Sequence, residues 1–143
     1  MRTIKYRGKD SFYEWVYGSL VSDEVENDNG KFMVTFIVPS IPCASNGRDM
    51  WTTKMKRVKP ETIGQFTGLF DKNGKEIYEG DIVKIKSQIC GDLFYEVVYS
   101  INEAAFALKN DDSAVYRYFE EIAEGRMTEV IGNIHDNPEL IKD

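Results

Sequence analysis

A chain of 143 residues, 42% hydrophobic and 13% aromatic, has the composition of a folded globular protein and excludes a disordered or fibrous one. Its net charge of −6 is uneven: residues 1–63 carry 10 Lys/Arg against 8 Asp/Glu, and residues 64–143 carry 8 against 16, which argues against a broad phosphate-binding surface in the second half. Two cysteines 47 positions apart, Cys43 and Cys90, are too few for a secreted disulfide scaffold, "MRTIKYRGKD" lacks a signal peptide's apolar core, and no apolar run approaches the roughly 18 residues of a spanning helix. A soluble protein of a reducing cytoplasm, with no membrane partner, is the expectation.

Strand signals dominate from the start. Residues 12–21, "FYEWVYGSLV", and 32–38, "FMVTFIV", are rich in aromatic and β-branched side chains, and "SDEVENDNGK" between them reads as a long acidic loop of a hairpin. "PSIPCASNGRD" then supplies two prolines and a glycine for an irregular connection. Residues 51–58 alternate as a strand, with Trp51, Thr53, Met55 and Arg57 on one side and Thr52, Lys54, Lys56 and Val58 on the other, and Pro60 ends it.

"TIGQFTGLFDKNGKEIYEGD", residues 62–81, is the most patterned stretch. Asn73-Gly74 suits the two positive φ values of a type I′ turn, a register that sets Phe70 opposite Ile77 and Leu69 opposite Tyr78. That register also puts like charges face to face, Lys72 with Lys75 and Asp71 with Glu76, so a loop of three to five residues is the alternative. Glu79-Gly80-Asp81 turns the chain into the alternating "IVKIK", an entry typical of SH3-like barrels. Further strands are expected at 94–100, 104–108 and 127–134, and one short helix at 113–126, where Val115, Tyr118, Phe119 and Ile122 share a face. Asn137-Pro138 opens a last helical turn. The expected fold is mainly β, a barrel or meander with one helix. It is read as a single domain over 1–143, an N-terminal hairpin region 1–60 packed on or extending from a barrel-like region 61–143.

The text "KPETIGQFTGLFDKNGKEIYEGDIVKI", residues 59–85, followed by "TEVIGNIHDNPEL", residues 128–140, resembles the YopX family of small phage and prophage proteins; "YRGK…WVYGSL" resembles one branch of it more loosely. The resemblance implies a phage or prophage origin, a bacterial cytoplasmic setting and a largely β fold. It implies no reaction, because the family has no established biochemical role, and so carries over no catalytic residue; the shared text is rich in turn positions (Gly64, Gly68, Gly74, Gly80, Gly132, Pro138).

Read residue by residue, the chain offers three candidate chemistries. Asp71, Glu79 and Asp81, with Glu76, supply carboxylates, but an EF-hand would need an oxygen ligand where Lys75 stands and a glycine where Glu76 stands. They read as turn residues, and a metal-dependent hydrolase is the third hypothesis. His135 beside Asp136 is the only histidine; Gly-x-Ser-x-Gly, GxxxxGK[ST] and GxGxxG are all absent, so no catalytic residue and no cofactor is expected. Trp51, Lys54, Lys56, Arg57 and Lys59 form a basic strand with an aromatic, which reads first as a solvated edge and second as a nucleic-acid contact that Arg2, Lys5, Arg7 and Lys9 would extend if they lay nearby. The favoured reading is a non-enzymatic protein that binds a host or phage protein, with self-association into a homo-oligomer as a further expectation.

Overall fold

The computed structural model describes residues 1–39, 55–110 and 127–141, together with the backbone of 116–118. The chain divides into two compact units, Thr3–Gln65 in one and Met1–Arg2 with Phe66–Asp143 in the other.

The Thr3–Gln65 unit contains β1 (Tyr6–Lys9), β2 (Trp15–Asn27), β3 (Gly30–Pro39) and β4 (Lys56–Arg57), then a 3₁₀ turn at Pro60–Thr62 and the first residues of β5 (Gly64–Phe70). All pairings are antiparallel, in the order β4-β3-β2-β1-β5. Its core is Val16, Ile37 and Val58, flanked by Tyr6, Leu20 and Ile63. Val58 and Lys59 bridge the two strands that flank β2. The Val58 N–H donates to the Thr35 carbonyl of β3 at 3.0 Å and the Lys59 N–H to the Lys9 carbonyl of β1 at 2.8 Å. This crossing needs a glycine beneath it, because a Cβ at Gly8 would lie 3.0 Å from the Val58 Cβ and 3.3 Å from the Ile37 Cδ1.

The acidic stretch 22–31 is strand, not loop. β2 and β3 stay in register from Gly18–Pro39 to Asn27–Gly30, with only Asp28 and Asn29 at the tip. Composition misleads here because the charges find cross-strand partners. Glu24 pairs with Lys31 at 3.1 Å, the Ser22 hydroxyl meets that of Thr35 at 3.4 Å, and Val21 and Val25 keep the apolar alternation opposite Phe36 and Phe32.

The second unit contains the rest of β5, then β6 (Glu76–Tyr78), β7 (Asp81–Ser87), β8 (Gly91–Ser100), β9 (Ala105–Lys109), β10 (Tyr116–Tyr118) and β11 (Thr128–Asn133), with a 3₁₀ turn at Pro138–Leu140. β7 to β10 form a meander, and β11 returns to pair with β7, giving the order β10-β9-β8-β7-β11. Ile77, Val83, Tyr95, Val97 and Leu108 form the buried centre.

The mainly-β class and the meander are as expected, but the barrel is not: the sheet is open, ending at β10 and β11. Tyr116–Tyr118, assigned by periodicity to a helix, is strand; the rest of that expected helix lies outside the described residues. The free side of β9 supplies the reason, since Tyr116 pairs with Lys109, Arg117 with Leu108 and Tyr118 with Ala107. A Tyr-Arg-Tyr run has ample β propensity, and tertiary pairing overrides a helical period.

Gly8→Ala is expected to lower stability by about 1–3 kcal/mol, as overpacking does. Adding Val58→Ala removes the Cγ2 that would lie 3.1 Å away but keeps the Cβ at 3.0 Å, so the double variant should recover part of the clash and lose somewhat less than the two single losses combined, as read by denaturant unfolding.

Candidate functional site

The carboxylates singled out in the sequence serve the backbone. Asp71 is buried and heads the five-residue loop that joins β5 to β6. Its Oδ1 accepts the N–H groups of Asn73 at 2.8 Å and Lys75 at 2.9 Å, and its Oδ2 accepts the N–H of Val130 in β11 at 3.0 Å. The Asp71 N–H donates to the Lys75 carbonyl at 2.8 Å, and the Lys72 N–H to the Thr128 carbonyl at 2.9 Å. The loop is thus the longer alternative and not a two-residue I′ turn. Phe70 sits opposite Glu76 rather than Ile77, which removes the facing of Asp71 with Glu76 and Lys72 with Lys75.

Burial pushes the Asp71 carboxyl up, but the three backbone donors from Val130, Lys75 and Asn73, with the Lys75 charge, outweigh it and hold the group below its usual 3.8. Glu129, on β11 itself, is also lowered, by hydrogen bonds from Lys72 at 2.8 Å and Lys84 at 3.3 Å. Asp81 is fully buried at the first position of β7, and its Oδ2 accepts the Tyr78 N–H at 2.8 Å. Glu79 precedes it in the turn, where the Gly80 N–H donates to the Val97 carbonyl. Among the described residues no three His, Cys, Asp or Glu come together as a metal site.

His135 lies in the turn after β11. Asn133 Oδ1 holds that turn by accepting the N–H groups of His135 and Asp136, and Asn137 is the N-cap residue of the 3₁₀ turn with Pro138 behind it. Cys90 is an exposed thiol between β7 and β8, and Cys43 lies outside the described residues.

The basic stretch is the more informative feature. Trp51 and Lys54 lie outside the described residues, while Lys56 and Arg57 form β4, exposed, and Lys59 follows half-buried. Of the strand expected over 51–58, Lys56 and Arg57 are strand and Met55 and Val58 are not, and 51–54 lie outside the described residues. The sequence missed what these cations stand beside, which is the loop Asp10–Glu14 between β1 and β2. Lys56 Nζ lies 3.9 Å from Asp10 Oδ2, and Lys59 Nζ lies 3.9 Å from the centre of the Tyr13 ring. Arg7 and Lys9 are close by, as the expectation required, but they are buried on Trp15, with Arg7 Cζ 4.6 Å and Lys9 Nζ 5.1 Å from its ring centre. The cations open to a ligand are Lys56, Arg57 and Lys59; Glu14 and Glu61, also exposed, oppose them.

Loop 10–14 has the hydrogen bonds of loop 71–75. Asp10 Oδ1 accepts the N–H groups of Phe12 at 2.8 Å and Glu14 at 3.0 Å, the Asp10 N–H donates to the Glu14 carbonyl, and the Tyr13 N–H donates to the Asp10 carbonyl as that of Gly74 does to Asp71. The sequence signal for both was an aspartate five residues before the residue that resumes the strand.

Residues 5–142 match the family model described as YopX protein. The crystal structure of protein EF1440 from Enterococcus faecalis is similar, with a TM-score of 0.54 and 25% sequence identity over 99% of this chain and 100% of that one. Among curated proteins none matches.

Asp71→Asn would turn an amide N–H toward either the loop N–H groups or that of Val130, so a loss of about 2 kcal/mol is expected at neutral pH. The folded-state pKa is depressed, so the stabilisation is complete above the unfolded value near 3.8 and fades as pH falls through the lower folded value. Denaturant titrations should therefore show the gap between wild type and variant closing below about pH 4.

Proposed function

The chain belongs to the YopX family, and we propose that it is a non-enzymatic accessory module that binds a basic protein of its phage or bacterial host through the β2–β3 arm. One observation carries this. β1 pairs with β2 only over Trp15–Gly18, and β4 with Val58 reaches β3 only at Thr35, Phe36 and Ile37, so residues 19–27 and 30–34 run on as a two-stranded ribbon among the described residues. Residues 21–33 are all exposed.

A lone two-stranded ribbon is marginal in water and leaves two rows of backbone donors and acceptors open. This one carries Val21, Val25 and Phe32 on one face and Met33 on the other, exposed apolar area that a partner would cover. Asp23, Glu24, Glu26 and Asp28 against Lys31 make the arm acidic, which disfavours two arms pairing with each other and selects a partner with basic groups. Addition of a strand to an open edge is a common route for such recognition.

Affinity capture from host lysate, after nuclease treatment, is expected to retain one stoichiometric protein, and Val25→Ser with Phe32→Ser should weaken its retention at least ten-fold or so without moving the thermal midpoint. Retention that ignores both substitutions would remove the reading. If light scattering shows a dimer that these substitutions dissociate, the arm binds a second copy instead.

A further inference from the structure

The two aspartate-headed loops differ at the one position where the difference is costly. In loop 71–75 the fourth residue is Gly74, with φ of 79°; in loop 10–14 it is Tyr13, with φ of 61°. The left-handed region suits glycine and penalises a side chain with a Cβ, and an aromatic is among the poorer choices for it. Glycine would fit the Asp10 loop as it fits the Asp71 loop. Tyrosine stands there instead, and it packs into no core: Tyr13 is 64% exposed and its neighbour Phe12 82% exposed. An observed backbone outlier of this kind, at an exposed tip, points toward function.

The surroundings say what the tip would bind. Lys59 Nζ lies over the Tyr13 ring, Lys56 reaches Asp10 in the same loop, and Arg57 is exposed between them in sequence. Two adjacent solvent-facing rings beside the cations Lys56 and Lys59 combine stacking surface with positive charge, the pairing by which unpaired bases and their phosphates are held. A protein partner for bare aromatics would not call for that charge. We propose that Phe12 and Tyr13 are a stacking platform for single-stranded nucleic acid, whose backbone runs along Lys56 and Lys59. The opposing Glu14 and Glu61 make this a weak, salt-sensitive site with little base preference. It lies at the opposite end of β2 from the arm tip and does not rest on the protein-binding reading.

Fluorescence anisotropy with a labelled oligothymidylate of about 16 nucleotides, set against inorganic polyphosphate and a duplex of equal length, tests the proposal. The oligonucleotide should bind at low salt and be released as salt rises, and should bind better than either control. Phe12→Ala and Tyr13→Gly should each weaken it by about ten-fold, while polyphosphate binding ignores both. Tyr13→Gly should leave the thermal midpoint unchanged or raise it, because glycine relieves the backbone; a ring retained for folding would give a lower midpoint. Phe12 is almost wholly exposed, so Phe12→Ala decides the matter whatever Tyr13→Gly does to stability. No salt-dependent binding, or a Phe12→Ala protein that binds as wild type does, overturns the proposal.

Discussion

Both units are organised around a carboxylate that captures backbone N–H groups. Asp71 accepts three, two from its own loop and one from Val130, so one side chain fixes the hairpin and also ties it to the outer side of β11. The bond from the Lys72 N–H to the Thr128 carbonyl adds a second tie to the same strand. β11 is the last strand of its sheet, and an open edge there would expose donors and acceptors in a row. The loop occupies two of them with charge-assisted and backbone hydrogen bonds, so the hairpin protects the edge as well as reversing the chain. Asp10 repeats the device in the other unit with two N–H donors, and Lys56 stands where a third would be.

The same device gives two acidic residues of 71–81, Asp71 and Asp81, a role in backbone geometry. A ligand carboxylate needs lone pairs free for a cation, and Asp71 has both oxygens directed at N–H groups, as Asp81 has one directed at Tyr78. A stretch dense in Asp, Asn and Gly looks from sequence like a cation loop because turns and cation loops demand the same residues, short acceptors and glycine. The two differ in what the oxygens face, which depends on strands 50 or more positions away: Val130 lies 59 residues beyond Asp71.

Strand positions, the meander and the turn chemistry were legible because they rest on local alternation. β7, β8, β9 and β11 lie within a few residues of the expected segments. What was not legible depended on side chains reaching the backbone or on distant partners. The β5–β6 register turned on Asp71 and not on Asn73-Gly74 alone. The arm was hidden because its acidic composition is that of a loop, whereas the pairing of β2 with β3, which sets Glu24 near Lys31, is visible only once the register is known. Lys56, Arg57 and Lys59 were visible as a basic run, but Phe12 and Tyr13 were read as strand, since nothing local distinguishes an aromatic that packs from one held at a loop tip.

The Thr3–Gln65 unit is electrically divided along β2. From Trp15 to Asn27 the strand spans about 40 Å at the usual rise per residue. Near its start lie Lys59 and the exposed aromatic tip, while Lys56 and Arg57, opposite Ile37 and Phe36, stand level with Leu20 and Val21 at its middle; toward its end lie Asp23, Glu24, Glu26 and Asp28. The attraction between Lys59 at one end and Glu26 and Asp28 at the other is lost over several screening lengths. Folding stability does not call for that separation. On the two proposals above, like charge at each end would discourage either partner from taking the other's place, so each charge cluster would serve specificity at its own end more than affinity.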